Sequence, residues 1–405
     1  MKRYKSTVAN LGIAVLAFVL ILSALEAGLA ITQFNVPETV LFIPGKGTTY
    51  IPHAYYRHTK EGFSEGRYNS HGFRDYERSY EKPQGVYRIV VLGDSYIEGL
   101  QVELEKTFTA QLEKMLNGHP SLRKFEVLSL GQSGFGTAEE YLRYLNFGVS
   151  YTPDLVVLAF TTGNDFRNNS KFLNGGSIGY YFTFDSGHHL VLDRSLVEAY
   201  ENELTYPKRL FQAIKIHSHL LSLLAERLYL LNRKIVEARM RGAYGHIRNS
   251  EDRTKTDLDL FSDLNIYRRD LPEPWEQAVE LTGEIILALK KSVEEHGGQF
   301  LLLGLSSAEQ VHSEVGDGLR TQYGLEFDYE QPDRILLELA EKNGIAFLAL
   351  MPALRKYHAK TGQYLHGFGG SRNGHWNETG HRIAAELTYQ FLVERHMVPL
   401  ESKHS

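Results

Sequence analysis

Five short apolar runs, each bounded by Gly, Pro, Asp or Asn, restrict the possible folds of this chain more than anything else in it. They are "VYRIVVLG" (86–93), "FEVLSLG" (125–131), "DLVVLAF" (154–160), "QFLLLGL" (299–305) and "IAFLAL" (345–350). Each is continuous rather than alternating, as suits a parallel strand covered on both faces. Helical patterns separate them, at 107–116, 138–147, 275–296 and 332–342. Strands alternating with helices predict a three-layer α/β/α domain with a mainly parallel five-stranded sheet and helices on both faces. With 405 residues there is enough chain to bury a sizeable core.

The remaining segments frame that domain. Lys2, Arg3 and Lys5 precede an apolar stretch over 8–25, "VANLGIAVLAFVLILSAL". As a helix it would extend ~27 Å, near the hydrocarbon thickness of a bilayer. A cleaved signal peptide is the alternative, with small residues at "AGLA" (27–30), but the run exceeds a usual signal core. We read residues 1–34 as a cytoplasmic tip and an uncleaved anchor, with the basic flank placing the rest outside the cytoplasm. Removing Lys2, Arg3 and Lys5 from the 44 basic residues leaves 41 against 49 acidic ones. That balance argues against nucleic acid and anionic lipid headgroups as partners. Residues 35–85, rich in Tyr, Gly, His and charge, are expected to form an approach segment packed on the domain at 86–396. Within that domain 168–270 is an insertion, containing a possible hairpin, a leucine-rich helix at 217–241 read as packed on the domain, and a charged loop. Residues 397–405 form a tail.

Ligands of open parallel sheets bind at the carboxyl ends of the strands. There this chain places "GDSY" (93–96), "GQSGFGT" (131–137), "TTGND" (161–165) and, after the fifth strand and a loop, "NGHWN" (373–377). Singly, each is an ordinary turn or helix cap. Together they bring a serine, a bare backbone amide, a carboxamide and an imidazole to one rim. Acyl transfer through serine needs those parts: a nucleophile, donors for an oxyanion and a base.

With these four blocks in this order, the chain resembles the SGNH hydrolases, the GDSL family of esterases and lipases. The resemblance implies a flavodoxin-like SGNH fold. It assigns Ser95 as nucleophile, the backbone N–H of Gly134 and the side-chain amide of Asn164 as oxyanion donors, and His375 as base. The family carries an Asp shortly before that His. Here Asn373 stands in its place, so His375 is expected to be oriented either by an amide without charge or by another acceptor. Asn373-x-His375-Trp376 also resembles the Asp-x-His-Trp of periplasmic polysaccharide O-acetyltransferases, although packing beside the site is the role expected of Trp376.

The expected activity is an extracytoplasmic esterase removing an acyl group, acetyl above all, from an O-acylated carbohydrate or small ester. The alternatives are an O-acyltransferase acting on exopolysaccharide or cell wall, and a non-catalytic glycan-binding relative. No cofactor or metal is expected. The chain has no cysteine, no His-Glu-x-x-His and no phosphate-binding Gly-x-x-x-x-Gly-Lys, and Gly131-x-x-Gly134-x-Gly136 inverts the dinucleotide fingerprint.

Overall fold

A computed structural model describes residues 2–400, apart from 33, 38, 44, 45, 120, 122, 229, 230 and 232–257. In chain order the elements begin with helix α1 (Lys2–Thr32) and strands β1 (Val40–Ile43), β2 (Gly47–Tyr50), β3 (Tyr55–His58) and β4 (Ser64–Arg67). Next come β5 (Val86–Gly93), α2 (Ser95–Glu98), α3 (Phe108–Asn117), β6 (Lys124–Ser129), α4 (Thr137–Asn146), β7 (Leu155–Thr161) and α5 (Asp165–Asn169). Strands β8 (Tyr181–Phe184) and β9 (Leu190–Asp193) lead to α6 (Ser195–Glu203) and α7 (Tyr206–Lys215). After a helical stretch at 219–228 come α8 (Glu273–Glu295), β10 (Gln299–Leu305), α9 (Ala308–Val311), α10 (Ser313–Tyr323) and α11 (Gln331–Lys342). The last elements are β11 (Ala346–Ala349), α12 (Met351–Thr361) and α13 (Glu378–Glu394).

All five apolar runs are strands of one parallel sheet, in the order β11-β10-β7-β5-β6. Alternate residues of each strand serve opposite faces. Val90, Leu92, Val156 and Leu158 pack with Tyr144 of α4, Trp275 and Ile286 of α8 and Leu336 of α11. Ile89, Val91, Val157 and Leu303 pack with Leu112 of α3, Leu354 of α12 and Ala384 of α13. The fold is therefore the three-layer α/β/α arrangement read from the sequence. Burial on both faces explains why none of these strands alternates in polarity.

The approach segment contains two antiparallel hairpins, β1–β2 and β3–β4. Tyr50 stacks on Tyr68 with ring centroids 4.0 Å apart, and Tyr56 joins them. Buried Arg74 fastens the segment to the chain that follows α2. Its guanidinium donates to the carbonyls of Glu98, Gly99 and Val102 and to the Tyr56 hydroxyl. Such a fork satisfies several otherwise unpaired carbonyls with one side chain. The insertion does contain a hairpin, β8–β9, and its ends belong to the core through Leu173, Tyr181, Val197, Ile266 and Tyr267.

Two compact units divide the chain: residues 1–39 with 202–253, and residues 40–201 with 254–405. In the smaller unit, α1 has one stretch, Asn10–Thr32, of 23 residues and mean hydropathy 2.4, long and apolar enough to cross a membrane. The leucine-rich helix was expected to bury its stripe. Instead Leu224, Leu228 and Leu231 are exposed, and the buried position is Ser222. Polar bonds hold this helix at its start, where Glu26 accepts from the N–H groups of His219 and Leu220. The rest of the 217–241 pattern and most of the charged loop lie outside the described residues.

Candidate active site

Strand β5 ends at Gly93, beside Ala159 of β7. Asp94 then caps α2, its Oδ1 accepting the Tyr96 N–H at 2.9 Å, and this cap leaves Ser95 as the first residue of the helix. The Ser95 Oγ lies 2.8 Å from Nε2 of His375. His375 is delivered by the loop before α13, where the Asn377 side chain accepts from the Thr379 and Gly380 N–H groups. Trp376, fully buried, packs edge-on against Tyr96 at 5.1 Å. It supports the site from below rather than offering a face to a ligand.

The other side of the imidazole holds the main departure from expectation. Nδ1 of His375 lies 2.7 Å from Oε2 of Glu61, and the His375 backbone N–H donates to Oε1 of the same carboxylate, also at 2.7 Å. Asn373 makes neither contact. Its Oδ1 accepts the neighbouring Gly374 N–H at 2.8 Å, and its backbone exchanges bonds with the Ser371 hydroxyl. A short side chain in a tight turn satisfies its own backbone first. The expectation that Asn373 orients His375 is thus corrected: Glu61 occupies that place.

Glu61 sits in the loop joining β3 to β4, about 310 residues from its partner in sequence, and its loop has little freedom. The Phe63 N–H and the Ser64 hydroxyl donate to the carbonyls of Gln101 and Leu100. Gly62 adopts φ +69°, and a Cβ there would lie 2.1 Å from the Gln101 oxygen. Gly374 has φ +107°, and a Cβ there would fall 2.0 Å from Oε1 of Glu61. Only glycine lets the carboxylate reach both N–H groups of His375.

Electrostatics distinguish the imidazoles. Burial pushes His366 and His381 down to about 3, so both stay neutral and are poor proton acceptors at ordinary pH. His375 keeps 28% of its side chain exposed, open to a substrate. Burial opposes the charge of Glu61, but the hydrogen bonds from His375 outweigh it and hold the carboxyl below its usual value. A charged Glu61 accepts the Nδ1–H and leaves Nε2 bare toward the Ser95 hydroxyl.

The other expected residues meet at the same strand ends. Asn164 caps α5 after β7, and its Nδ2 donates to Oδ2 of Asp94, the residue before Ser95, at 3.3 Å. A second amide hydrogen is left for a ligand. Gly134 lies in the turn after β6 at φ +85°, with open space where a Cβ would be. Ser133 anchors that turn, its N–H and hydroxyl both bonding to the Glu98 carboxylate of α2. Neither the Ser95 N–H nor the Gly134 N–H has a partner among the described residues. A Ser–His–carboxylate array with unspent N–H donors on Ser95 and on the turn after β6 can support acyl transfer. No group of three or more metal-ligating side chains occurs among the described residues.

Glu61 escapes a reading based on strand-end motifs because it belongs to no strand of the main sheet. The only hints in the sequence are the missing acid at 373 and a Glu-Gly turn between two short β-like pieces, "YYRH" and "SEGR".

No family model matches the chain, and no curated protein matches it. Solved structures align with it at low identity. An acetyl xylan esterase aligns over 75% of this chain and 98% of its own, at 13% identity and TM-score 0.39. A lipase/acylhydrolase from Enterococcus faecalis aligns over 79% and 100%, at 11% and 0.39. An acetylxylan esterase from Geobacillus stearothermophilus, as a catalytic mutant, aligns over 78% and 97%, at 13% and 0.37. The chemistry has to come from the site.

Proposed function

We propose that the chain is a serine esterase of SGNH type that removes an acyl group, acetyl above all, from an O-acylated carbohydrate or small ester. The observation that carries this reading is the array Ser95–His375–Glu61, with contacts of 2.8 and 2.7 Å. Ser95 Oγ attacks the ester carbonyl and passes its proton to Nε2 of His375. The N–H groups of Ser95 and Gly134 and the Asn164 amide receive the oxyanion. On collapse the alcohol leaves with the proton from His375, and an acyl group remains on Ser95. Water then attacks that acyl group, gives a proton to His375, and the acid leaves as Ser95 is reprotonated. Glu61 holds the productive tautomer throughout and stabilises the imidazolium formed at each attack.

Turnover of p-nitrophenyl acetate by the full-length protein in detergent tests this reading. Ser95→Ala should reduce kcat to background. A rate unchanged by Ser95→Ala would end the proposal. Asn164→Ala should lower kcat by about 10²–10³ while KM moves little, because an oxyanion donor acts in the transition state. A change confined to KM would make Asn164 a binding residue instead.

The same reading places α1 across a membrane and the α/β unit outside the cytoplasm, supported by the length and hydropathy of α1 and by Lys2, Arg3 and Lys5 before it. Alkaline phosphatase fused after Ser405 should be active, since that enzyme matures only outside the cytoplasm. Activity from a cytoplasm-only reporter at the same junction would reverse the assignment.

A further inference from the structure

Helix α7 buries no residue. Its side chains nonetheless separate sharply by type. Tyr206, Leu210 and Ile214 recur every four residues, with Phe211 beside them, and they are 78%, 48%, 48% and 47% exposed. Lys208, Gln212 and Lys215 lie on the opposite side of the same turns. A surface helix of a soluble domain turns such a stripe to its core. This one has it uncovered, and the exposed stripe resumes at Leu224, Leu228 and Leu231.

The chain just after α7 is tied to Glu26, near the end of the apolar run of α1. Its carboxylate accepts from the Ser218 hydroxyl at 2.8 Å, the His219 N–H at 2.7 Å and the Leu220 N–H at 2.9 Å. Nδ1 of His219 in turn bonds the Asn35 carbonyl at 2.7 Å, just beyond α1. All these groups belong to one compact unit. Two residues, Ile216 and His217, separate the end of α7 from Ser218, so Lys215 lies within about 10 Å of the tie. A carboxylate at the edge of the hydrocarbon is costly unless hydrogen-bonded, and here three donors satisfy it.

We propose that α7 and the helical stretch at 219–228 lie on the bilayer at the C-terminal end of α1, their apolar stripes in the lipid. This rests on the reading of α1 as a membrane span. Lipid is the occupant that fits: the chain between the two stripes is tied to a membrane-length helix, α7 carries a tyrosine at its start, and its flanks are cationic. Those are the features of an interfacial amphipathic helix, which sinks its apolar face roughly 5–10 Å toward the acyl chains. The enzyme would then be held at the membrane by a span and a collar.

The chain has no cysteine, so a single introduced thiol is a unique label site. Full-length protein would be labelled with an environment-sensitive fluorophore and reconstituted into phosphatidylcholine–phosphatidylglycerol liposomes, with and without acyl-brominated lipid. The positions are Leu16→Cys in the span, Leu210→Cys and Ile214→Cys on the stripe, Lys208→Cys opposite it, and exposed Lys291→Cys on the α/β unit. Bromolipid should quench positions 210 and 214 at least about twofold more than 208 and 291, with 16 quenched most. If 16 is quenched and 210 and 214 match 291, the collar is refuted and the span stands. If 16 is not quenched but 210 and 214 are, the span falls and the surface helix stands alone.

Discussion

Glu61→Gln should lower kcat on p-nitrophenyl acetate by about 10⁴, the cost of the wrong tautomer when a triad carboxylate becomes an amide in another serine enzyme. The reason is specific to this geometry. Both oxygens of Glu61 accept from N–H groups of one residue, the backbone and Nδ1 of His375. A glutamine has one oxygen to offer. If it stays on the backbone N–H, which cannot change, the NH₂ group faces Nδ1 and drives the proton to Nε2, against the Ser95 hydroxyl. The deficit should persist at neutral and alkaline pH. The Glu61 carboxyl is held below its ordinary value by the bonds from His375, so its charge is present above the usual carboxylate range and lost only as the pH falls below it. By contrast Asn373→Asp, which would repair the site if Asn373 were its orienting residue, should change the rate by less than about threefold, since an exposed charge there is screened. A large gain from Asn373→Asp would restore the reading that the geometry displaces.

Gly374→Ala should also be costly, without removing any group that takes part in the chemistry. The added methyl would stand 2.0 Å from Oε1 of Glu61, on a backbone at φ +107° that L residues rarely adopt. Either the carboxylate retreats or the loop carrying His375 shifts. Both break the 2.7 Å contacts, and a displacement of about 1 Å at a reacting group can cost 10²-fold. The expected signature is a fall in kcat of at least about 10² with a melting temperature near that of the parent, measured by circular dichroism. Unaltered kcat would mean that Glu61 does not set the position of the imidazole.

The sheet was legible because burial on both faces leaves an unmistakable trace: five continuous apolar runs, found as β5, β6, β7, β10 and β11. The Ser95, Gly134, Asn164 and His375 blocks were legible because the strand ends of a parallel sheet converge on one rim. Glu61 was not, for the converse reason. It sits on a hairpin of two four-residue strands that leave only Tyr56 and Ser64 buried, and its place is secured by backbone carbonyls at 98–102 through Arg74, Ser64 and Phe63. Bonds to backbone carbonyls leave no periodic pattern in sequence. Proximity misled in the same way. Asn373 is two residues from His375, but in a tight turn that spacing sends its side chain back to the Gly374 N–H. The leucine stripe at 220–231 reads as a face packed on the domain because periodicity shows that a face is apolar without showing what covers it.

In the proposed mechanism Ser95 is made nucleophilic by His375 held on Glu61. A fluorophosphonate ester tests it without knowledge of the natural substrate, since the reagent bonds only an activated serine. The full-length protein should take up one equivalent, located by peptide mass spectrometry on Ser95. The labelling rate should fall by about 10³–10⁴ in Glu61→Gln, as kcat does, and stay within about threefold of the parent in Asn373→Ala. Label on another serine, no label, or a rate that follows Asn373 and ignores Glu61 would contradict it.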